Sequence, residues 1–518
     1  SPVQASRAAA SAAGTIGRVA EALFMLLSRL LQTLSDTPAG GIDDVEIADL
    51  AYDSRQVRPG SLFVAVPAVG GGAGSGGYAF IADALSRGAV AVVAQHRIDR
   101  VPVPVVLVSD ARAALADLAV EFFDHPTSRL QLFAVTGTDG KTTTTFLLEQ
   151  ILRAAGCLTG LIGTVQTTIG TRILPNSDRM TTPESLDLQR LFHTMLQAGV
   201  THAVMEASSH ALELQRLRGC RPIACALTNI TADHVEFHGD WERYYLAKQR
   251  LFTEIGAGRP AVLNRDDASF ERLRRVTTGA TLSYSLERGA DLYATDVVSE
   301  LDRSGFTLHH SGAVARTQIS LPGLFNVSNA LAAAGLALTA GLSLDIIAAG
   351  LAGSEAPPGR FYRVRAGQPF EVVVDYAHTK NAFASVLGTV RAGTPPPRRV
   401  IAVFGAAGNR DRDKRPVLAR LARRYADFFI VTNEDPCDEP AEKIMAEIAA
   451  GVPAEEEGDR FIREPDRGRA IRRALAVARP GDAVVILGKG HERSIVVQGQ
   501  QEPWSDVAAV QDALGADV

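Results

Sequence analysis

The run Val135-Thr136-Gly137-Thr138-Asp139-Gly140-Lys141-Thr142-Thr143 stands between an apolar stretch and a helical pattern, the setting of a phosphate-binding loop. Glycines there let backbone N–H groups approach phosphate oxygens, and the following helix adds the positive end of its dipole. Lys141 can then reach the β- and γ-phosphates, and the hydroxyl of Thr142 or Thr143 can hold Mg²⁺. The general pattern has glycine where Val135 stands, and a Gly-Lys-Thr turn also occurs as a plain strand-to-helix connection. Two further segments offer metal chemistry. Glu206 follows the apolar run Ala203–Met205 and precedes Ala207-Ser208-Ser209-His210, which puts a carboxylate at a strand end. Thr228-Asn229-Ile230-Thr231-Ala232-Asp233-His234 closes the next apolar run with hard oxygen donors and an imidazole, suited to Mg²⁺ and its waters. Taken alone, His234 reads as a structural histidine, and Lys248 as a helical lysine that reaches solvent or makes a salt bridge.

These groups need a sheet whose strands end on one side. From about 130 to 355, the runs Leu132–Val135, Ala203–Met205 and Ala224–Leu227 each end in polar residues, as in an open parallel sheet whose ligands gather beyond the strand ends. From about 42 to 128, Leu62–Val66 and Ala89–Ala94 alternate with helical patterns around the Gly-rich loop Gly70–Gly77, which reads as a small α/β domain. After Pro357-Pro358-Gly359, the runs Val372–Val374, Val400–Phe404, Phe428–Val431 and Ala483–Leu487 alternate with amphipathic helices. The fold class is therefore α/β, with domains expected at 25–129, 130–355 and 356–518 after an extension, 1–24. The acidic cluster Glu455–Glu457 reads as a solvated loop.

Composition narrows the classes. A chain of 518 residues carries a prior of about three domains. With 46% hydrophobic, 21% charged and 6% aromatic residues, it is neither disordered, collagenous nor a membrane bundle. Lys plus Arg is 53 and Asp plus Glu is 58, a net charge of −5, so the basic excess of a nucleic-acid binder is missing. Four cysteines without CxxC pairing suggest neither a disulfide framework nor a structural metal, which fits a reducing cytoplasm. The uncharged stretch Thr317–Leu344 is long enough to span a bilayer, but Pro322, Gly323, Asn326, Ser328 and Asn329 interrupt it. Its Ala/Gly-rich remainder reads as a closely packed interior helix, so no membrane insertion is expected. Residues 1–24 lack the apolar core and cleavage signal of a secretory leader.

Together the segments GTDGKTTT, MEASSHAL, TNITADHVEFHG, Ala247-Lys248 with LF following, LPGLFNVSNALAA, VDYAHT, NRDRDKRP and GKGHE resemble the Mur ligase family over essentially residues 25–518. The DSR at Asp53–Arg55, the TTPE at Thr181–Glu184, the VDYAHT and the GKGHE look like the MurE type, which adds the third residue of the peptidoglycan stem peptide. The resemblance implies a three-domain architecture: a small N-terminal UDP-sugar-binding domain, a central P-loop domain with a mostly parallel sheet, and a C-terminal Rossmann-like domain that binds the amino acid. It also implies a start near Met25, a cytoplasmic monomer, and an ATP-dependent amide ligase that acts on UDP-N-acetylmuramoyl-L-Ala-D-Glu and a free amino acid through an acyl phosphate. By the same resemblance Gly137, Thr138, Asp139, Gly140, Lys141, Thr142 and Thr143 hold ATP phosphates, while Asn326, Asn329, Arg360 and Asp375 contact the nucleotide. Two Mg²⁺ sites are implied, drawing on Thr142, Glu206 and His234. Lys248 is implied to be a CO₂-derived carbamate, an anion that organises metal. Ser54, Thr181, Thr182, Ser208 and Arg216 match positions that bind the UDP-sugar dipeptide. Met180 and Leu214 depart from the asparagine and glutamine often found in the family.

The amino-acid pocket departs more. Family members selecting meso-diaminopimelate resemble one another in an Asp-Asn-Pro-Arg motif whose arginine grips the distal carboxylate; here the tetrad is Glu434-Asp435-Pro436-Cys437. Cysteine cannot supply bidentate charge-assisted bonds, and an unpaired carboxylate in a pocket costs about 2–5 kcal/mol. Glu434, Asp435 and Glu492 would instead favour a side-chain ammonium, as in lysine or ornithine. Gly488 belongs to the same pocket, and Arg410 matches the arginine for the α-carboxylate. Arg412 or Arg493 could replace the missing arginine. A related ligase with another substrate, a non-catalytic ATP-binding scaffold and a plain phosphotransferase or motor ATPase remain alternatives at this stage. Retained Lys141, Glu206, His234 and Lys248 argue for turnover.

Overall fold

The computed structural model describes residues 24–34, 43–69, 75–176, 180–231, 233–393 and 395–515. Nearly all of the expected extension and positions 70–74 of the Gly-rich loop lie outside the described residues. The chain forms two compact units.

The first unit comprises residues 1–131, 182–201 and 210–221. Its sheet runs Asp49–Ala51, Ser61–Val64, Ala89–Ala94, Val105–Leu107, all parallel. The unbroken apolar run Ala89–Ala94 suits a strand covered on both faces, and Val92 and Val93 are fully buried. The helix Ala111–Phe122 is capped by Asp110, whose carboxylate accepts from the N–H groups of Arg112 and Ala113. The segments 182–201 and 210–221 are grouped with this unit. Leu186 enters this unit's core. Tyr52 donates to Asp187 at 2.6 Å, Arg190 pairs with Asp49 at 3.1 Å, and Arg218 pairs with Asp117 at 2.7 Å.

The second unit comprises residues 132–181, 202–209 and 222–518 and holds two large sheets. The larger has eleven strands, in the order Arg172–Pro175, Gln166–Ile169, Thr159–Ile162, His202–Glu206, Gln131–Thr136, Ala224–Leu227, Ala261–Asn264, Thr281–Ser285, Leu292–Ser299, Ser304–His310, Ala313–Ile319. Pairing is parallel from 131–136 out to 292–299 and antiparallel at both margins. The Ala/Gly-rich stretch forms the buried helix Leu324–Thr339. Its small residues permit a close approach: a Cβ on Gly335 would lie 2.6 Å from Val262. No described helix is long and apolar enough to cross a membrane.

The second sheet runs Tyr362–Arg363, Glu371–Asp375, Ala483–Leu487, Val400–Phe404, Phe428–Val431, Phe461–Arg463, parallel except at its first strand. The last core strand, 483–487, lies between 371–375 and 400–404, so the chain order switches there and opens a crevice at the strand ends. Asp375, Gly488 and Glu434 all stand at or just past those ends. The acidic cluster is a short 3₁₀ turn at Ala454–Glu456, with Glu456 and Glu457 paired to Arg423 and Arg463.

Candidate active site

The strand Gln131–Thr136 delivers the phosphate loop and the helix Lys141–Ala154 leaves it. Gly137 (φ 151°) and Gly140 (φ 89°) take conformations that side chains rarely adopt. A Cβ on Gly137 would meet Thr228 Oγ1 at 1.8 Å, and one on Gly140 would meet Asn329 Oδ1 at 2.2 Å. The loop is braced by the 228–231 segment. Thr228 Oγ1 and Asn229 Nδ2 donate to the Asp139 carbonyl at 2.6 and 3.1 Å, and Thr231 N donates to Thr138 Oγ1 at 3.0 Å. Thr143 is buried inside the helix.

Lys141 folds back on the loop, donating to the carbonyls of Gly137 and Thr138 at 2.9 and 3.0 Å. Burial holds its ammonium below the ordinary lysine range, opposed by Glu206 and Asp139. Burial raises the Asp139 carboxyl, opposed by Lys141, and Thr379 donates to it at 3.1 Å.

Glu206 is 1% exposed. Thr142 Oγ1 lies 3.0 and 3.1 Å from its two oxygens, and Thr164 adds N–H and O–H donors at 2.8 and 2.9 Å. Arg360 donates to Thr142 Oγ1 at 3.2 Å, and its guanidinium sits 4.6 Å from the Tyr376 ring centroid. The P-loop hydroxyl, the strand-end carboxylate and an arginine from beyond residue 355 thus meet at one point. Hydroxyl and carboxylate oxygens beside a phosphate loop are the hard donors Mg²⁺ takes, with waters and phosphates completing its shell. Among the described residues no group of three or more His, Cys, Asp or Glu forms a metal cluster.

Lys248, on the helix Trp241–Arg250, is 1% exposed and donates to the Gly137 carbonyl at 2.7 Å. Burial, reinforced by the Lys141 charge, holds its ammonium well below the usual range. His234 has φ 53° and faces Asp233 at 3.5 Å and Glu236 at 3.6 Å. The hydrogen bond with His234 holds the Glu236 carboxyl down to about 2. His378 packs on Tyr376 with its Nδ1 3.0 Å from the Tyr376 carbonyl, and burial lowers its pKa to about 3.

Asn326 and Asn329 lie in the first turns of the buried helix. Asn326 Nδ2 donates to the Pro322 carbonyl at 2.8 Å, and Asn329 Nδ2 to Asn326 Oδ1 at 3.3 Å. Asp375 accepts from the N–H groups of Phe361 (2.6 Å) and Ala377 (2.7 Å), which pins the turn beside Arg360. In the first unit Ser54 begins a 3₁₀ turn, and Arg216 donates to the Thr182 carbonyl at 3.0 Å and pairs with Glu184 at 3.3 Å. Thr181, which accepts from Thr164 at 3.1 Å, and Ser208 belong to the second.

The segments expected to form an amino-acid pocket are not a bare acidic patch. Lys489, fully buried, donates to both Asp435 oxygens at 2.9 Å and also to Glu492. Glu434 is buried against Gly488, and burial raises its carboxyl, opposed by the Lys414, Arg467 and Lys489 charges. Arg410 is 54% exposed and pairs loosely with Glu236 at 3.5 Å, while Arg412 pairs with Glu439 at 3.0 Å. Sequence reasoning passed over Lys489 although it sits inside the GKGHE segment, and it passed over Thr164 and Thr379, whose signal is only a hydroxyl in a loop.

Residues 135–337 match the family model described as the Mur ligase middle domain, and 359–490 the Mur ligase, glutamate ligase domain. The UDP-N-acetylmuramyl-tripeptide synthetase of Roseiflexus sp. (strain RS-1) is 44% identical over 487 residues, covering 90% of this chain and 94% of its own. The UDP-N-acetylmuramoyl-L-alanyl-D-glutamate–2,6-diaminopimelate ligase of Solibacter usitatus (strain Ellin6076) is 43% identical over 472 residues, again covering 90% and 94%. A solved structure of a UDP-N-acetylmuramoyl-L-alanyl-D-glutamate–2,6-diaminopimelate ligase superposes with a TM-score of 0.63 at 32% identity, covering 90% of this chain and 95% of that one. The chain belongs to the Mur ligase family, a family of ATP-dependent amide ligases.

Proposed function

We propose that this ligase is of the MurE type and joins the D-glutamyl carboxylate of UDP-N-acetylmuramoyl-L-Ala-D-Glu to the amine of a diamino acid. The observation that carries the reading is the convergence of Thr142, Glu206 and Arg360 on the phosphate loop. A carboxylate does not acylate an amine usefully in water, so ATP first converts it to an acyl phosphate, which the amine then displaces. Phosphoryl transfer depends mainly on positioning and charge neutralisation. Lys141, resting on two loop carbonyls, would turn to the phosphates; Arg360, bonded to Thr142, would supply a second cation; Asn326 and Asn329 would brace the nucleotide end. Thr142, Glu206 and His234 would hold Mg²⁺, with Lys248 as its carbamate, and that metal would supply charge neutralisation for the phosphates and the developing oxyanion. Residues Ser54, Thr181, Thr182, Ser208 and Arg216 would hold the UDP-sugar dipeptide. We propose further that the enzyme is cytoplasmic, since that is where such nucleotide substrates are made, and that it is a monomer, as the family resemblance implies.

For the amino acid, lysine or ornithine is favoured over meso-diaminopimelate, on one observation rather than two. Lys489 neutralises Asp435 and Glu492, so a purely acidic pocket no longer supports the reading. Cys437 still does, because its thiol offers a distal carboxylate no charged donor. The names of relatives such as the Solibacter ligase point the other way. Incubation with ATP, Mg²⁺, the UDP-dipeptide and each amino acid separately, followed by mass spectrometry, decides. Product with lysine or ornithine alone supports the full reading; a diaminopimelate product keeps the ligase and overturns the role given to Cys437; no product with any overturns the substrate class.

A further inference from the structure

A buried guanidinium outside the phosphate loop joins the two segments that carry the pocket's acids. Arg467 opens the helix Arg467–Val477 and is 2% exposed. Its Nε and Nη2 donate to the two Asp506 oxygens, both at 2.7 Å. Nη2 also donates to the Leu487 carbonyl and Nη1 to the Asn433 carbonyl, both at 2.9 Å. Leu487 is the last residue before Gly488-Lys489, and Asn433 directly precedes Glu434-Asp435. The strands behind them are not neighbours, since 400–404 lies between. A planar fork with five donors in fixed directions can span that gap, which a lysine ammonium cannot reproduce. Asp506, fully buried, begins the helix Asp506–Leu514 and accepts Trp504 Nε1 at 2.8 Å. A buried ion pair is retained at a desolvation cost that only good geometry offsets. Here both carboxylate oxygens and all three guanidinium nitrogens are engaged.

We propose that Arg467, oriented by Asp506, is a positioning residue for the incoming amino acid: it sets the spacing between the Glu434-Asp435 segment and the Gly488–Glu492 segment. The inference rests on the assignment above that these segments bind the amino acid. Lys489 ties the same two segments through Asp435, so its bridge and that of Arg467 together set their separation. Trp504 and Asp506 thereby become part of the specificity apparatus.

The test uses R467K, D506N and W504F in the full chain, with KM measured separately for ATP, the UDP-dipeptide and the amino acid. R467K and D506N are expected to raise the amino-acid KM about tenfold or more, with the other two KM values within about twofold. ADP–ATP exchange supported by the UDP-dipeptide without amino acid is expected to keep its rate, because it reports acyl phosphate formation alone. The double variant is expected to be no worse than R467K, since the pair acts as one unit. W504F removes a single donor and is expected to raise the amino-acid KM about two- to fivefold, which serves should R467K not fold. Equal rises in all three KM values, lost exchange, or an unchanged amino-acid KM in folded R467K or W504F would overturn the inference. Failure of the functional assignment looks different: the unaltered chain would turn over none of the amino acids, and the inference would fall with it.

Discussion

Lys248 donates from Nζ to the carbonyl oxygen of Gly137 at 2.7 Å, so a buried helical lysine is fastened to the phosphate loop itself. The same ammonium lies 4.5 Å from the Tyr244 ring centroid, and Tyr244 OH is 3.0 Å from Thr138 Oγ1. Helix 241–250 is thereby tied to the loop at two points, through Lys248 and through Tyr244.

Lys248→Ala is expected to lower turnover by about a hundredfold or more, with short carboxylic acids restoring part of it by supplying the missing anion. Steady-state assays with and without added acetate or propionate check this. Unchanged activity in the variant would remove the carbamate from the assignment.

Gly140→Ala places a Cβ 2.2 Å from Asn329 Oδ1 at a residue with φ 89°. The expected result is a loss of nucleotide affinity of about tenfold or more, since both the loop and Asn329 must shift. Titration with a non-hydrolysable ATP analogue reads it directly.

Burial pushes His238 down to about 4, with Nε2 held 3.0 Å from Ser209 Oγ. An unfolded histidine titrates near 6.5, so between pH 6.5 and pH 4 the unfolded chain binds a proton that the folded chain refuses. Stability contributed by this site is present above pH 6.5 and is lost as pH falls towards 4. Urea unfolding at pH 7 and pH 5 is expected to show a smaller pH dependence for His238→Gln than for the unaltered protein.

Cys437→Arg restores a fork-shaped cation beside Asp435 and Pro436. Diaminopimelate turnover is expected to rise about tenfold or more relative to lysine, the worth of one charge-assisted carboxylate contact. Competition between the two amino acids, read by product mass, measures the ratio. No change would mean that the distal carboxylate lies elsewhere.

Chemistry that depends on contiguous residues was legible from the chain alone. The phosphate loop, Glu206 at its strand end and the 228–234 segment follow from short runs in which apolar patterning sets the strand and glycine or hydroxyl residues set the turn. The buried Ala/Gly helix was legible for the same reason, because its small side chains and lack of charge suit only a packed interior. Tertiary structure alone decided which charges meet. Asp435 and Glu492 read as free acids until Lys489 was found between them. Nothing in its local sequence marks Arg467, whose partner Asp506 lies 39 residues away and whose other contacts are the carbonyls of Leu487 and Asn433. Spacing along a chain encodes local backbone geometry; neutralisation and desolvation depend on distances through space between segments that only folding brings together.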